Sequence, residues 1–176
     1  MAKEIVLIGR SNVGKSTLFK ALTGKKVRVG RRPGITRYHF KVQVMLHVSK
    51  ADLDRTKNII VDYFEENASE ILLAIQVIDV ASFLDIADRW EGRGEVPLEI
   101  ELYEFLSDLG LDVVVAANKM DRIAKKDEDW VLDAIAERLG MLPPWRQWSE
   151  KIAPISAKSG QVEPLQRIIR DKLAKG

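Results

Sequence analysis

Gly9-Arg10-Ser11-Asn12-Val13-Gly14-Lys15-Ser16 sets two glycines, a lysine and a hydroxyl at the spacing G-x-x-x-x-G-K-[ST]. Backbone freedom at the glycines lets consecutive N–H groups curl inward on phosphate oxygens, and a helix opening at the lysine adds the positive end of its dipole. Lys15 then reaches β- and γ-phosphate oxygens, and the Ser16 hydroxyl is placed to ligate a Mg²⁺ bridging the same oxygens. The segment follows the apolar run Ile5-Val6-Leu7-Ile8 and precedes the stretch Ser16–Leu22, the strand–loop–helix context this chemistry needs. A plain Gly-containing turn is the alternative, but average residue usage makes a chance match rarer than about one chain in a hundred of this length.

Asn118-Lys119-Met120-Asp121 ends the apolar run Asp112–Ala117 with N-K-x-D, at the carboxyl edge of a strand, where open α/β sheets bind ligands. An ionised Asp121 accepts parallel hydrogen bonds from N1–H and the 2-amino group of guanine; adenine offers neither, so the pattern selects GTP over ATP. Asn118 is placed to brace the loops and approach the base, and the stem of Lys119 to lie over the ring. An Asn capping a polar turn accounts for Asn118 alone and leaves the Lys and Asp spacing unused. Ile155-Ser156-Ala157-Lys158 again follows an apolar run and precedes a helical pattern. S-A-K carries little in isolation; downstream of N-K-x-D it offers the Ala157 N–H to guanine O6, an acceptor where adenine has a donor.

These loops need a sheet to hold them, and short apolar runs alternating with amphipathic stretches predict a three-layer α/β fold, a mostly parallel sheet with helices on both faces. Strands are expected over 5–8, 38–48, 71–78, 112–117 and 151–155. Helices are expected over 16–22, stopped by Gly24, and from about Ser49, where Ser49-Lys50-Ala51-Asp52 reads as a capping box and Leu53, Ile60 and Phe64 share a face. Three more are expected over 98–109, 127–139 and 162–173, the first two stopped by Gly110 and Gly140. Residues 1–176 show no linker, internal repeat or second domain, and 176 residues suit one core. With 46% hydrophobic and 31% charged residues, the composition excludes disordered, collagen-like and low-complexity chains. Lys plus Arg number 28 against 26 Asp plus Glu, a net +2, so overall charge implies no nucleic-acid partner. No Cys is present, which excludes disulfides, thiolate metal sites and Cys nucleophiles, and two His cannot build a zinc site without carboxylates. Apolar runs such as Ile71–Ile75 fall far below a membrane span, and the start of the chain lacks a signal-peptide pattern, so a cytoplasmic protein with no membrane partner is expected.

With these motifs in place, the chain resembles the Ras-like GTPases and, within their TrmE-Era-EngA-EngB-septin class, the EngB-type ribosome-assembly GTPases. The resemblance runs nearly end to end: G-R-S-N-V-G-K-S at 9–16, R-R-P-G-I-T-R at 31–37, W-E-G-R-G-E-V-P-L-E-I-E at 90–101, N-K-M-D and S-A-K. The second and third point to the archaeal branch. Such a resemblance implies a monomeric single G domain that binds GTP or GDP with Mg²⁺, hydrolyses GTP slowly by attack of water, and acts on a ribosomal-subunit precursor or rRNA, not DNA, with a family link to cell division. Nucleotide contacts are then implied for Gly9, Arg10, Ser11, Asn12, Val13, Gly14, Lys15, Ser16 and Thr17, for Gly34, Ile35 and Thr36 of the first switch, and for Asn118, Lys119, Asp121, Ser156, Ala157 and Lys158. Thr36 would join Ser16 on Mg²⁺ and sense the γ-phosphate through its backbone, making Lys15, Thr36 and Asn12 the implied catalytic set. G-x-x-N-x-G-K-S is also similar to potassium-activated members, in which the loop Asn helps hold K⁺ against the phosphates. Asn is equally a good turn residue, and for Asn12 both readings stand. Two rivals to the hydrolase remain: a GTP/GDP-responsive scaffold with negligible hydrolysis, and a small-molecule P-loop kinase, which N-K-x-D and S-A-K weigh against.

One family motif is missing. No D-x-x-G lies between Thr36 and Asp79; Asp79 ends an apolar run but is followed by Val80-Ala81-Ser82, and Asp62 falls in a predicted helix, so Asp79 reads as structural. Phe40, Val42, Val44, Leu46 and Val48 alternate as one strand. The resemblance nevertheless implies that an interior strand and a second switch, about a dozen residues, belong between Val44 and Met45, and that these two are not joined by an ordinary peptide. Lys25, Lys26, Arg28, Arg31, Arg32 and Arg37 form the densest basic run, suited to nucleotide or rRNA phosphates or simply to solvent. Pro143-Pro144-Trp145-Arg146-Gln147-Trp148 could stack on RNA, with packing the favoured reading.

Overall fold

Ile5, Val6, Leu7 and Ile8 of β1 (Lys3–Gly9) are fully buried, as a strand covered on both faces must be. The computed structural model describes residues 3–24, 34–35, 40–47, 49–51 and 53–176, with 34–35 and 40–47 as backbone. β1 pairs in parallel with β3 (Phe40–His47) on one side and β4 (Ile71–Asp79) on the other. β5 (Val113–Asn118) and β6 (Ile152–Pro154) extend the parallel sheet beyond β4, and β2 (Gly34–Ile35) adds an antiparallel edge to β3. The order is β2-β3-β1-β4-β5-β6.

Period-two alternation sorts the side chains onto two faces. Ile5, Leu7, Leu73, Ile75 and Val77 pack beneath α1 (Lys15–Thr23) and α6 (Glu163–Lys175), against Leu18, Leu22, Leu165 and Ile168. Val6 and Ile8 meet Leu53 and Ile60 of α2 (Leu53–Asn67) and Leu98 and Leu102 of α4 (Leu98–Asp108). Ile78, Val115 and Ala117 meet α3 (Phe83–Glu91) and α5 (Glu128–Arg138). Each buried Leu or Ile contributes about 1.5–3 kcal/mol of transfer free energy, so the many that fill these layers hold the strand ends in register. Gly24, Gly110 and Gly140 follow their helices at φ 70, 79 and 82, as the expected stops.

Three expectations need correction. α3 was not anticipated, although Phe83, Ala87 and Trp90 recur at helical spacing. The helix expected from Ser49 begins at Leu53. Val44 and Met45 are successive residues of β3, paired with Val6 and Leu7 of β1, so the strand runs straight through the point where an interruption was expected. Residues 40–47 lie directly beside β1, leaving no double-width gap. The pairing slips once, between Ile5 and Val6, where β3 advances from Val42 to Val44. Asp62 lies within α2, as expected.

Candidate guanine-nucleotide site

The parallel strands bring the carboxyl ends of β1, β4 and β5, at Gly9, Asp79 and Asn118, to one edge. From β1 the chain turns through Asn12 and Gly14, both left-handed at φ 61 and 102, and enters α1 at Lys15. Glycine is required at 14 twice over: a Cβ there would lie 2.2 Å from Asn118 Nδ2, on a backbone that disfavours side chains. At Gly9 a Cβ would meet the Val77 carbonyl at 2.7 Å. The first turn of α1 carries no acidic residue to offset its positive end.

Lys15 is buried, and its ammonium donates to the carbonyls of Gly9 (2.8 Å) and Arg10. Burial lowers its pKa from 10.5 to about 8, a charged group held in a site that favours it only when anionic partners are near. Asn118 is 2% exposed and joins three loops: Nδ2 donates to Val13 O at 2.8 Å, and Oδ1 accepts the Ala157 N–H at 3.0 Å. Lys119, left-handed at φ 70, donates to Asn12 O at 2.7 Å. Ser156 Oγ donates to Asp121 Oδ1 at 2.8 Å, fixing the carboxylate expected to read the base.

A cavity of about 570 Å³ runs between these loops. Ser11, Asn12, Gly14, Lys15, Ser16 and Thr17 line its expected phosphate end, and Asn118, Lys119, Asp121 and Lys158 its expected base end. Arg122 also lines it and was not anticipated; its only signal was adjacency to N-K-x-D. Gly9, Val13, Ser156 and Ala157 lie beneath the surface as supports. Two residues of the expected site have partners within the chain. The Arg10 side chain turns away to pair with Glu99 and sits 6.0 Å from the Trp90 ring centre. The Ala157 N–H, expected to meet guanine O6, is engaged by Asn118. Gly34 and Ile35 form β2, while Thr36 and the basic residues Lys25, Lys26, Arg28, Arg31, Arg32 and Arg37 lie outside the described residues. Trp145 is 8% exposed and packs in the core with Trp148 against it, so the packing reading of the Pro143–Trp148 stretch holds.

The described residues include no group of three or more His, Cys, Asp or Glu able to hold a metal. Ser16 exposes its hydroxyl at the expected phosphate end, a hard oxygen donor of the kind that would suit a Mg²⁺.

A phosphate loop, N-K-x-D and S-A-K around one cavity define a P-loop guanine-nucleotide-binding domain. Residues 4–133 match the family described as 50S ribosome-binding GTPase. "Probable GTP-binding protein EngB" of Methanosarcina mazei is 44% identical, over 97% of this chain and 88% of that protein. Its namesake in Archaeoglobus fulgidus is 44% identical over 97% and 92%. The crystal structure of a probable GTP-binding protein engB superposes with a TM-score of 0.83 at 36% identity, covering 98% of this chain and 99% of that one. The chain belongs to the EngB family of GTP-binding, GTPase-domain proteins. A Methanopyrus kandleri relative, 44% identical over 95% of this chain and 92% of its own, aligns over 188 positions. At least twelve of those positions therefore have no counterpart among the 176 residues here.

Proposed function

We propose that the protein binds GTP and GDP with Mg²⁺, hydrolyses GTP slowly, and acts in the cytoplasm on a ribosomal-subunit precursor. The observation carrying the nucleotide reading is Asn118, which ties the phosphate loop to the S-A-K loop beside a carboxylate held for guanine. Ribosomal action rests on the description of the matching family. Among the described residues no helix is long and apolar enough to cross a membrane.

In this reading the Asp121 carboxylate takes the N1–H and 2-amino donors of guanine, and the loop N–H groups and α1 take the phosphates. Lys15 leaves the Gly9 and Arg10 carbonyls for phosphate oxygen and offsets charge developing as water attacks the γ-phosphate. Ser16, with Thr36, would hold Mg²⁺, which supplies further charge neutralisation when bound. Asn12 lines the phosphate end, where K⁺ would sit if the loop uses one.

Titration with GTP, GDP and ATP, followed by single-turnover phosphate release with and without K⁺ and ribosomal subunits, tests the proposal. Tight GTP and GDP binding, weak ATP binding and slow release are expected. Equal affinity for ATP rejects the site; tight binding with no release under any condition leaves a nucleotide-responsive scaffold.

A further inference from the structure

Asp79, the last residue of β4, is the acidic residue that sequence reading set aside. Its register partner on β5 is Asn118, and Val80 N–H donates to Asn118 O at 3.0 Å, so its carboxylate stands beside the base-reading loop. Oδ1 accepts the Ala81 N–H at 2.9 Å and closes the turn into α3. Oδ2 accepts the Lys119 ammonium at 2.8 Å, with the Asp79 side chain 13% exposed. The same ammonium reaches Asn12 O in the phosphate loop at 2.7 Å. Lys119 thus bridges a carboxylate and a carbonyl on two other strands' loops. It also lines both the 570 Å³ cavity and a neighbouring one of about 190 Å³, whereas Asp79 lines only the smaller.

We propose that Asp79 is a positioning residue for guanine-nucleotide binding: it holds the Lys119 ammonium on the Asn12 carbonyl, so that the lysine stem stays along the base cavity and the base and phosphate loops move as one body. Without an anionic partner the flexible four-carbon side chain gains rotamer freedom, and its strongly hydrated head is drawn to water or to phosphate. With the partner, that freedom is spent during folding and not on binding, which is preorganisation of the base site. Asp79 does not line the larger cavity, so in this proposal it acts through Lys119. The inference rests on the nucleotide reading above, which wild-type GDP and GTP binding tests separately.

Asp79→Asn isolates the ion pair, because the amide oxygen still accepts from Ala81 while the charge is lost. Asp79→Asn is expected to weaken GDP and GTP equally, by about tenfold, within the range usual for directly coupled side chains. Equal loss is expected because Lys119 stands at the base end, away from the γ-phosphate. Lys119→Met should weaken binding by itself, and Asp79→Asn added to it should cost less than twofold more. Asp79→Ser completes the same cycle if the Asn variant does not fold. Wild-type affinity in the single variant overturns the proposal. So does an equal loss with and without Lys119, which would make Asp79 a turn-closing residue only, or a loss confined to GTP.

Discussion

The two ends of the nucleotide cavity are built differently. At the base end, side chains do the holding: Asn118, Lys119, Asp121 and Ser156 are each bonded to another loop, across separations of up to 107 residues. At the phosphate end, backbone geometry does it, through left-handed Asn12 and Gly14, the open N-terminus of α1 and one buried lysine resting on its own loop. On the proposed reading, base recognition depends on tertiary assembly, whereas phosphate recognition rests mainly on residues 9–16, with Asn118 anchoring that loop at Val13.

Breaking the base end at its reading group gives the largest effect. Asp121→Asn exchanges an acceptor for a donor, so the preference for GTP over xanthosine triphosphate should change by about 10⁴-fold. Competition titration with the two nucleotides measures it, and an unchanged ratio would remove Asp121 from the base. Gly14→Ala strikes the junction of the two ends, since its Cβ must displace Asn118 on a strained backbone. GDP affinity should fall about 100-fold, with a lower melting temperature; wild-type affinity would show that the Asn118 brace is dispensable.

Lys15→Ala confines damage to the phosphate end. GTP affinity and turnover should drop by about tenfold or more while the domain stays folded. Its pH signature is smaller and sharper. With a folded pKa near 8 against 10.5 ordinarily, Lys15 binds fewer protons folded than unfolded between those values, so stability of the nucleotide-free protein gains from this group as pH rises through that window. GTP affinity moves the opposite way, falling as pH climbs above about 8, because phosphate favours the charged lysine. Melting curves and GTP titrations from pH 7 to 10, wild type beside Lys15→Ala, check both signs; the variant should lack both trends.

Much of the fold was legible because it is written in short-range pattern. Ile5–Ile8, Ile71–Ile78 and Asp112–Ala117 predict strands within two residues of those observed. α3 was hidden by its nine-residue length and its place immediately after a strand. At β3 the apolar pattern from Phe40 predicted one continuous strand, which the backbone shows with a single slip between Val42 and Val44, whereas the family resemblance implied a break there. The twelve or more positions by which the Methanopyrus kandleri relative exceeds this chain show that relatives do carry additional residues. Here the strand simply continues, and seven of its eight residues pair with β1 across the single slip at Gln43.

Amino-acid order by itself determined the phosphate loop, N-K-x-D, S-A-K and the α/β alternation, because each depends on residues within one or two turns of chain. Only the tertiary structure decided where their side chains and N–H groups are spent. Arg10 went to Glu99, 89 residues away, and not to the cavity. The Ala157 N–H went to Asn118, 39 residues away, and Asp79 to Lys119, 40 residues away. A hydrogen-bonding group has several partners of suitable chemistry along the sequence, and which one it meets depends on the strand order and register that bring distant loops to the same edge of the sheet.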